Sequence, residues 1–319
     1  KVSGVEALNF LQHLSANNVD VEPGQIVYTQ WLNEDGGIES DLTVTRISAE
    51  EFMVVGACGS SRRDFYWMKR RAPEFNCDVS LAPEVKIIGV MGPQSRNLLV
   101  ELSDEEQDVT QISYYRSSQI TLQGLPVRLN RLSYVGELGY ELYVDKSSML
   151  QLFHDLKRAG DRFGLGLAGF HAMNSCRIEK GFRHWGHDIH DHINPYQAGL
   201  GFAVDLGKGD FLGRAALLSE KNYKTRRLCS LSIESEDAPF MVHDEPVYRN
   251  GEAVGLTTSA AWGHRVGRSL AIADLSDKRS INKKWIEGGQ FEIEVAGSRY
   301  PVSVRLGGFY DAKNERTKI

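Results

Sequence analysis

One glutamate in the stretch 133–144 has the setting of a ligand-binding carboxylate. Glu141 begins an alternating run that ends at Val144, a pattern typical of a half-buried strand, and Gly136 and Gly139 precede it. A carboxylate that enters such a strand can hold a flat, donor-rich ligand edge through two parallel hydrogen bonds. The glycines give room for a ligand, or for backbone geometry that a side chain forbids. The alternative is an ordinary hairpin with solvated glutamates, and the stretch alone leaves both open.

A second carboxylate, Asp41, lies in the strand-like run 38–46, shortly after the Gly36-Gly37 turn. Strand alternation places its side chain on the same face as Thr43. At the start of a mostly apolar strand, an aspartate is often a turn-capping group. If it instead points into a cavity, it can stabilise a nearby cation or relay a proton.

Three other patterns suggest chemistry, but their surroundings do not support it. The glycines of 164–169 match G-x-G-x-x-G, yet a helix precedes them where a dinucleotide site needs a strand, so a helix-to-helix turn explains them better. The run 184–192 is dense in histidine and aspartate, but it is loop-like, and solvated histidines fit it better than a metal site. Cys58 has no neighbour that would activate a nucleophile. We therefore predict no metal site.

The composition is that of an ordinary soluble globular protein of two or three domains. The 319 residues are 41% apolar and 25% charged, with a net charge of −5. This balance argues against nucleic acid or an acidic membrane surface as the main partner, and no apolar run approaches the ~20 residues that span a bilayer. Four scattered cysteines fit a reducing compartment. Because the residues from Lys1 onward resemble the interior of a domain, we expect further sequence upstream.

The first part of the chain predicts a small α+β unit. Ser3 can cap a helix whose leucines recur at helical spacing up to Leu14. The expected strands are 28–33, 38–46, 52–57 and 85–90, with a hairpin turn at Asp35-Gly36, a helix capped by Ser60 or Ser61, and Pro93 in the first turn of another helix.

The remaining chain predicts a second mixed block and an all-β end. The second block has a hairpin over 118–132 with Gly124 at its turn, a helix capped by Ser147, and a helix over 168–180 that Gly181 ends. From Arg226 onward, an Asn250-Gly251 hairpin and two strands about Gly297 predict a small barrel or jelly roll.

Several stretches together resemble one family. They are 33–42 (NEDGGIESDL), 133–143 (SYVGELGYELY), 177–185 (RIEKGFRHW), 194–200 (NPYQAGL) and 210–214 (DFLGR). Their order and spacing resemble the glycine cleavage T-protein (aminomethyltransferase) superfamily. Within it, the sequence looks closest to the folate-binding C-terminal half of dimethylglycine and sarcosine dehydrogenases. T-protein itself usually has an acidic residue where Leu138 stands and an arginine where Met173 stands.

The resemblance implies an α+β fold of three domains, arranged as a cloverleaf around a tetrahydrofolate channel. A discontinuous folate-binding α+β domain would comprise 1–32 and 112–225. A ferredoxin-like α+β domain would be inserted at 33–111, and a C-terminal β-barrel or jelly roll would occupy 226–319.

The reaction that the resemblance implies moves a one-carbon unit at the formaldehyde level from an amine to tetrahydrofolate, giving 5,10-methylenetetrahydrofolate. Asp41 matches an aspartate near the attacking folate nitrogen and is the expected catalytic residue. Glu141 matches a glutamate that pairs with the pterin edge, and Tyr134 matches an aromatic that packs against the folate. The other expected cofactor-binding residues are Thr43, Val55 and Glu137.

The expected ligands are therefore tetrahydrofolate and a small methylated amine or its iminium. FAD is expected only if an upstream half is missing, because flavoprotein members of the family carry it there; that half would be covalently linked or separate. The leading hypothesis is a one-carbon transferase of the dimethylglycine/sarcosine dehydrogenase type. The alternatives are T-protein or a related folate-dependent demethylase, and a non-catalytic folate-binding scaffold. The expected location is cytoplasmic, or the mitochondrial matrix if the source is eukaryotic.

Overall fold

Two antiparallel sheets and a closed barrel carry the fold. The computed structural model describes residues 1–219, 223–235 and 237–319. Residues 220–222, inside the expected domain range 112–225, lie outside the described part. No helix of the described residues is long and apolar enough to cross a membrane.

The first sheet has five strands in the order β2-β3-β4-β1-β5. Its elements are β1 (Val2–Ser3), α1 (Ala7–Leu14), β2 (Ile26–Leu32), β3 (Ile38–Arg46), β4 (Glu51–Gly56), α2 (Ser61–Arg71) and β5 (Asp78–Val79). The buried face of α1 packs with Trp31 and the apolar side of β3. The predicted strands are confirmed, but the prediction that Ser3 caps α1 is wrong. Ser3 is extended because it pairs with both Glu51 and Asp78.

The second sheet has four strands in the order β6-β9-β8-β7. Its part of the chain contains β6 (Val85–Met91), α3 (Ser95–Leu102), α4 (Glu106–Thr110), β7 (Ser117–Leu122), β8 (Leu125–Asn130), β9 (Gly139–Asp145) and α5 (Met149–Gly160). Along β9, Tyr140, Leu142 and Val144 pack into a core with α3 and α5. Glu141 and Tyr143 alternate with them and therefore face the opposite side of the sheet.

Two helix starts in this part differ from the predictions. Helix α3 begins at Ser95, so Pro93 precedes the helix instead of lying in its first turn. Helix α5 begins after Ser148. The backbone N–H and hydroxyl of Ser147 both donate to the Asp145 side chain, which turns the chain before the helix. Both helices thus begin one or two residues later than the sequence predicted.

Three helices connect the second sheet to the barrel: α6 (Phe170–Lys180), α7 (Pro195–Ala198) and α8 (Arg214–Ser219). The glycine-rich segment 164–169 lies between α5 and α6, which confirms the predicted helix-to-helix connection. Helix α6 ends at Gly181, whose φ of 71° is the left-handed geometry that glycine adopts without strain. The segment 184–192 is only partly solvated, since Asp188 is buried and pairs with Arg177.

The C-terminal part is a closed six-stranded barrel in the order β10-β13-β12-β11-β14-β15. Its elements are β10 (Arg226–Ile233), β11 (Pro246–Arg249), β12 (Glu252–Gly263), β13 (Arg268–Ser276), α9 (Lys283–Glu287), β14 (Phe291–Val295) and β15 (Ser298–Arg305). The Asn250-Gly251 turn has positive φ at both residues, as a two-residue hairpin turn requires. The barrel and the hairpin are confirmed.

The strand pairings cross two of the expected domain boundaries. Strand β2 pairs with β3 across the boundary at 32/33, and β6 pairs with β9 across the one at 111/112. The barrel begins at Arg226, where the third domain was expected to start. The boundaries at 32/33 and 111/112 stay a prediction, and a division by sheets would fall between 79 and 85 instead.

Candidate active site

A cavity of about 2060 Å³ opens between the two sheets, α6 and the barrel side of the molecule. A bridge between Gln25 and Arg116 joins the two sheets at one corner. The sheet faces that carry Asp41 and Glu141 both line the cavity beside it. All six predicted site residues line it: Asp41, Thr43, Val55, Tyr134, Glu137 and Glu141. The structure thus brings together side chains that are up to 100 positions apart in the sequence.

Asp41 is held on the cavity wall by two donors. It lies opposite Gln30 in the β2–β3 ladder, and Gln30 Nε2 donates to Asp41 Oδ1 at 2.9 Å. Burial raises the pKa of Asp41 to about 6, while hydrogen bonds from Gln30 and Tyr28 act in the opposite direction. A carboxyl with a pKa near 6 is ionised at neutral pH and can still take up a proton, as a general base must.

Thr43 and Val55 form the surface beside Asp41. They are register partners between β3 and β4, and Tyr28 lies opposite Thr43 on the other side. The row Tyr28–Thr43–Val55 therefore shares one sheet face with Asp41, as the predicted alternation requires. It gives the carboxylate a largely apolar surround, which explains why burial dominates its pKa.

Glu141 lies on the facing wall, formed by the second sheet. Gly89 lies opposite it on β6 and adds no side chain there, whereas Asn130 lies opposite it on β8. The Tyr143 hydroxyl donates to Glu141 Oε2. Burial raises the pKa of Glu141, and the hydrogen bond from Tyr143 opposes that rise. An acceptor-only carboxylate with space beside it suits a ligand edge with two N–H donors.

Tyr134 contributes its aromatic ring to the cavity wall, because its hydroxyl already makes a hydrogen bond elsewhere. The hydroxyl donates to the Arg183 carbonyl oxygen at 2.7 Å, and the ring stacks on Phe182 with 16° between their planes. Burial raises the pKa of Tyr134, so the phenol stays protonated. The residue is therefore a rigid aromatic surface of the cavity, a part that suits a flat ligand.

Glu137 differs from the other five residues. Its Oε1 accepts hydrogen bonds from Arg265 Nη1 at 3.0 Å and from the Tyr310 hydroxyl. Arg265 also pairs with the buried Glu179 of α6. Glu137 thus lies on the cavity wall but takes part in the contact between the second sheet and the barrel.

Several cavity residues were not predicted from the sequence. Tyr28 lines the cavity beside Asp41, and Tyr114 and Tyr115 form an edge-to-face pair there, with ring centroids 4.5 Å apart. Gln30 contacts Asp41 from behind. The alternation of β2 places Tyr28 and Gln30 on one face and was a usable signal; no comparable pattern marks Tyr114 and Tyr115.

The comparisons with known proteins identify the family and agree with the fold. The GCVT N-terminal domain family matches residues 1–208, and the glycine cleavage T-protein C-terminal barrel domain family matches residues 226–311. A solved structure of glycine cleavage system aminomethyltransferase T from Bartonella henselae superposes with a TM-score of 0.83 and 25% identity, covering 95% of this chain and 81% of that one.

Curated relatives are of two lengths. A 4-methylaminobutanoate oxidase (formaldehyde-forming) of Paenarthrobacter nicotinovorans is 39% identical over the whole of this chain, and human mitochondrial dimethylglycine dehydrogenase is 32% identical over 95% of it. This chain spans only 38% and 35% of those two proteins. An aminomethyltransferase of Alkaliphilus metalliredigens is 32% identical, with 96% of this chain and 81% of that protein covered. With both domains matched and the fold shared, the chain belongs to the glycine cleavage T-protein family of folate-dependent aminomethyltransferases.

Proposed function

We propose that this chain transfers the one-carbon unit of an N-methylated amino acid's iminium, which a flavin-dependent half has already oxidised to the formaldehyde level, onto tetrahydrofolate, giving 5,10-methylenetetrahydrofolate and the demethylated amine. The observation that carries the proposal is the pair of half-buried carboxylates, Asp41 and Glu141, which face one cavity from two different sheets. The dimethylglycine/sarcosine type of amine is favoured by the name of human dimethylglycine dehydrogenase, whereas the name 4-methylaminobutanoate oxidase supports an N-methylated amino acid in general.

The residues present fit a bound folate. Glu141 offers two acceptor oxygens beside the space over Gly89, which suits the paired N–H donors of a pterin edge. Tyr134 offers an aromatic face, while Thr43 and Val55 offer a mostly apolar wall. Tetrahydrofolate would supply the nitrogens that accept the one-carbon unit.

Asp41 would then accept a proton or stabilise the positive charge during the reaction. Its carboxylate is ionised above about pH 6, so it can stabilise an iminium cation or take up a proton released at the folate nitrogen. Gln30 and Tyr28 fix its orientation, which keeps the charge directed at the cavity. Glu137 supports the wall from its contact with Arg265.

An FAD site is not built by the residues described. The only glycine-rich match, 164–169, follows a helix and leads into another, whereas a dinucleotide site needs a strand before it. We propose that FAD, where a flavin-dependent half takes part, is held by that half, covalently linked or separate, as the names of the longer relatives suggest.

The test is tetrahydrofolate binding and product formation by the chain itself. Calorimetry should show binding by the wild type, and Glu141→Gln should weaken it about tenfold or more, because a charged hydrogen-bond acceptor is lost. Formation of 5,10-methylenetetrahydrofolate from tetrahydrofolate, formaldehyde and sarcosine should exceed the uncatalysed background, and Asp41→Asn should remove most of that excess. No binding, or variants that behave like the wild type, would reject the proposal.

Glycine cleavage aminomethyl transfer is the second candidate, because the shorter aminomethyltransferase relatives align with nearly the whole of this chain. Turnover of tetrahydrofolate with an aminomethylated lipoyl carrier protein, and none with sarcosine and formaldehyde, would favour it. Binding without any product would favour a non-catalytic folate-binding scaffold.

A further inference from the structure

Asn130, the last residue of β8, has a side chain that the fold leaves unsatisfied. It is 0% exposed, and neither its Oδ1 nor its Nδ2 has a hydrogen-bond partner of normal geometry among the described residues. A buried amide without partners costs about 1–3 kcal/mol. An apolar side chain of the same size, such as leucine, would avoid that cost. Packing of the sheet therefore does not explain an asparagine at this position.

The neighbours of Asn130 point to the cavity. Asn130 is the register partner of Glu141 on β9, so their side chains lie on the same face. Tyr143 lies on that face as well, two residues beyond Glu141, and its hydroxyl donates to Glu141. An amide N–H of Asn130 near the Tyr143 phenol oxygen lowers the pKa of Tyr143, against the rise that burial causes. Asn130, Tyr143 and Glu141 thus form one row that ends at the cavity.

The site of Asp41 repeats this arrangement. Gln30, also 0% exposed, is the register partner of Asp41, and a tyrosine, Tyr28, supplies the second donor. The difference is that Gln30 already donates to its carboxylate, whereas both amide atoms of Asn130 are without such a bond. In both places a buried carboxamide and a tyrosine lie next to a carboxylate that faces the cavity.

We propose that Asn130 is a positioning residue for ligand recognition, which acts through Tyr143 on Glu141. Without ligand, the Tyr143 hydroxyl donates to Glu141. A ligand edge with two donors competes for the Glu141 oxygens, and the Tyr143 hydroxyl then needs another acceptor. Rotation of the Asn130 carboxamide about its Cβ–Cγ bond brings Oδ1 to that hydroxyl as a buried acceptor, so the phenol proton keeps a partner. This inference rests on the proposed function, because it takes Glu141 as the carboxylate that binds the pterin.

The test compares three variants with the wild type, with tetrahydrofolate as the probe. Asn130→Leu removes both amide atoms at similar volume, and Tyr143→Phe removes only the hydroxyl. Thr45→Val is the matched control: Thr45 is 0% exposed, its hydroxyl has no partner among the described residues, and it lies on β3 away from Glu141. Dissociation constants come from calorimetry and melting temperatures from thermal unfolding.

Asn130→Leu should leave the melting temperature of the unliganded protein unchanged or higher, and should raise the dissociation constant for tetrahydrofolate about tenfold. In turnover it should raise KM with little change in kcat, because Asp41 is not affected. The double variant Asn130→Leu/Tyr143→Phe should bind no more weakly than the weaker single variant, since both act through one path. Thr45→Val should bind within about twofold of the wild type.

Two results would overturn the inference while the proposed function stands. One is wild-type affinity in Asn130→Leu, which would mean that a buried water or simple packing accounts for the asparagine. The other is a double variant whose losses multiply, which would mean that Asn130 and Tyr143 act independently. If the wild type itself binds no tetrahydrofolate, the proposed function and this inference are both rejected.

Discussion

At the scale of single residues, the two cavity carboxylates are similar in burial but differ in how firmly they are held. Asp41 accepts from both Gln30 and Tyr28, whereas the described contact of Glu141 is with Tyr143 and its partner on the other strand, Gly89, has no side chain. A carboxylate that two hydrogen bonds hold in a fixed orientation suits proton transfer or stabilisation of a cation at a defined position. A carboxylate with a free side suits ligand binding. The proposed division of roles follows from this difference.

The rate of the proposed reaction should depend on the ionisation of Asp41. Because its pKa is raised to about 6, kcat/KM should rise with pH through about 6 and level off above 7. Asp41→Asn should remove this limb and lower kcat by about 10²–10⁴-fold. Asp35→Asn, in the exposed turn before β3, is the control and should retain the wild-type profile. A wild-type profile that is flat between pH 5 and about 8 would contradict the assignment.

The same carboxyl should make the folded protein less stable as pH rises. The folded-state pKa of about 6 lies above the ordinary value of 3.8, so the folded chain holds this proton more tightly than the unfolded chain. Stability from this group is therefore present below about pH 4 and is lost as pH rises through about 6. Asp41→Asn should be more stable than the wild type by about 1–3 kcal/mol at pH 8, with the difference vanishing near pH 4. Urea unfolding at both values measures it; equal stability at pH 8 would refute the expectation.

The sequence was sufficient to assign the proposed site residues to one face of each strand, but not to identify the residues that support them from neighbouring strands. Alternation alone places Asp41 with Thr43, and Glu141 apart from Leu142, as the structure has them. Asn130 and Gln30 could not be assigned to these carboxylates because cross-strand partners depend on register, which a single strand does not contain.

At the scale of elements, the glycine turn before β3 is fixed by what it touches. A Cβ at Gly37 would lie 1.8 Å from the Asp191 carbonyl oxygen, a backbone atom that cannot move aside. Asn33, at the start of the turn, donates to that same carbonyl and accepts from the Gly37 N–H. The turn therefore holds the segment around residue 191 close to the first sheet, and with it the start of β3 that carries Asp41.

Gly37→Ala should destabilise the protein by about 2–3 kcal/mol or more, since overpacking against backbone forces the two segments apart. Gly166→Ala is the matched control, because a Cβ there has nothing within 4 Å and its φ is not in the left-handed region. The control should stay within about 0.5 kcal/mol of the wild type. Urea unfolding of both variants decides the point, and equal effects would mean that the close approach at Asp191 relaxes freely.

Strand and helix identities followed from periodicity, while several helix starts did not. The hairpin signals at Asn250-Gly251 and Gly124 depend on local backbone geometry and were correct. Ser3 failed as a cap because the strands of Glu51 and Asp78, some 50 and 75 positions later, recruit it into a sheet. Pairing at that sequence distance overrides a local preference worth about 1 kcal/mol.

At the scale of the whole molecule, no continuous segment contains the cavity. One wall comes from the first sheet, the facing wall from the second, and α6 and the barrel side close it. The family resemblance supplied the proposed site residues, and local strand and hairpin signals predicted the barrel, because motifs and barrel strands are continuous in sequence. The expected boundaries at 32 and 111 are crossed by strand pairs, since sheets assemble from strands that such divisions separate.

Arg265, in the turn between β12 and β13, joins the barrel to the rest of the molecule. Its side chain contacts Glu179 of α6, Glu137 in the loop before β9, and the carbonyl oxygens of Val135 and Cys176. Glu179 is 1% exposed, so its charge depends on this arginine and on the backbone N–H groups of the same turn. One guanidinium thus links three parts of the fold beside the cavity.

Arg265→Met should therefore cost about 3–5 kcal/mol, because it leaves a buried carboxylate without its counter-ion. Adding Glu179→Gln should restore part of the loss, since the second change removes the unpaired charge. Lys283→Ala, which breaks an exposed ion pair with Glu287 on the same barrel, is the control and should cost less than about 1 kcal/mol. Because Glu137 also loses its ion-pair partner and keeps only the Tyr310 hydroxyl, Arg265→Met should weaken tetrahydrofolate binding, whereas Lys283→Ala should not. Urea unfolding and calorimetry measure both effects, and a loss in Arg265→Met no greater than in the control would show that the barrel is held by its apolar contacts instead.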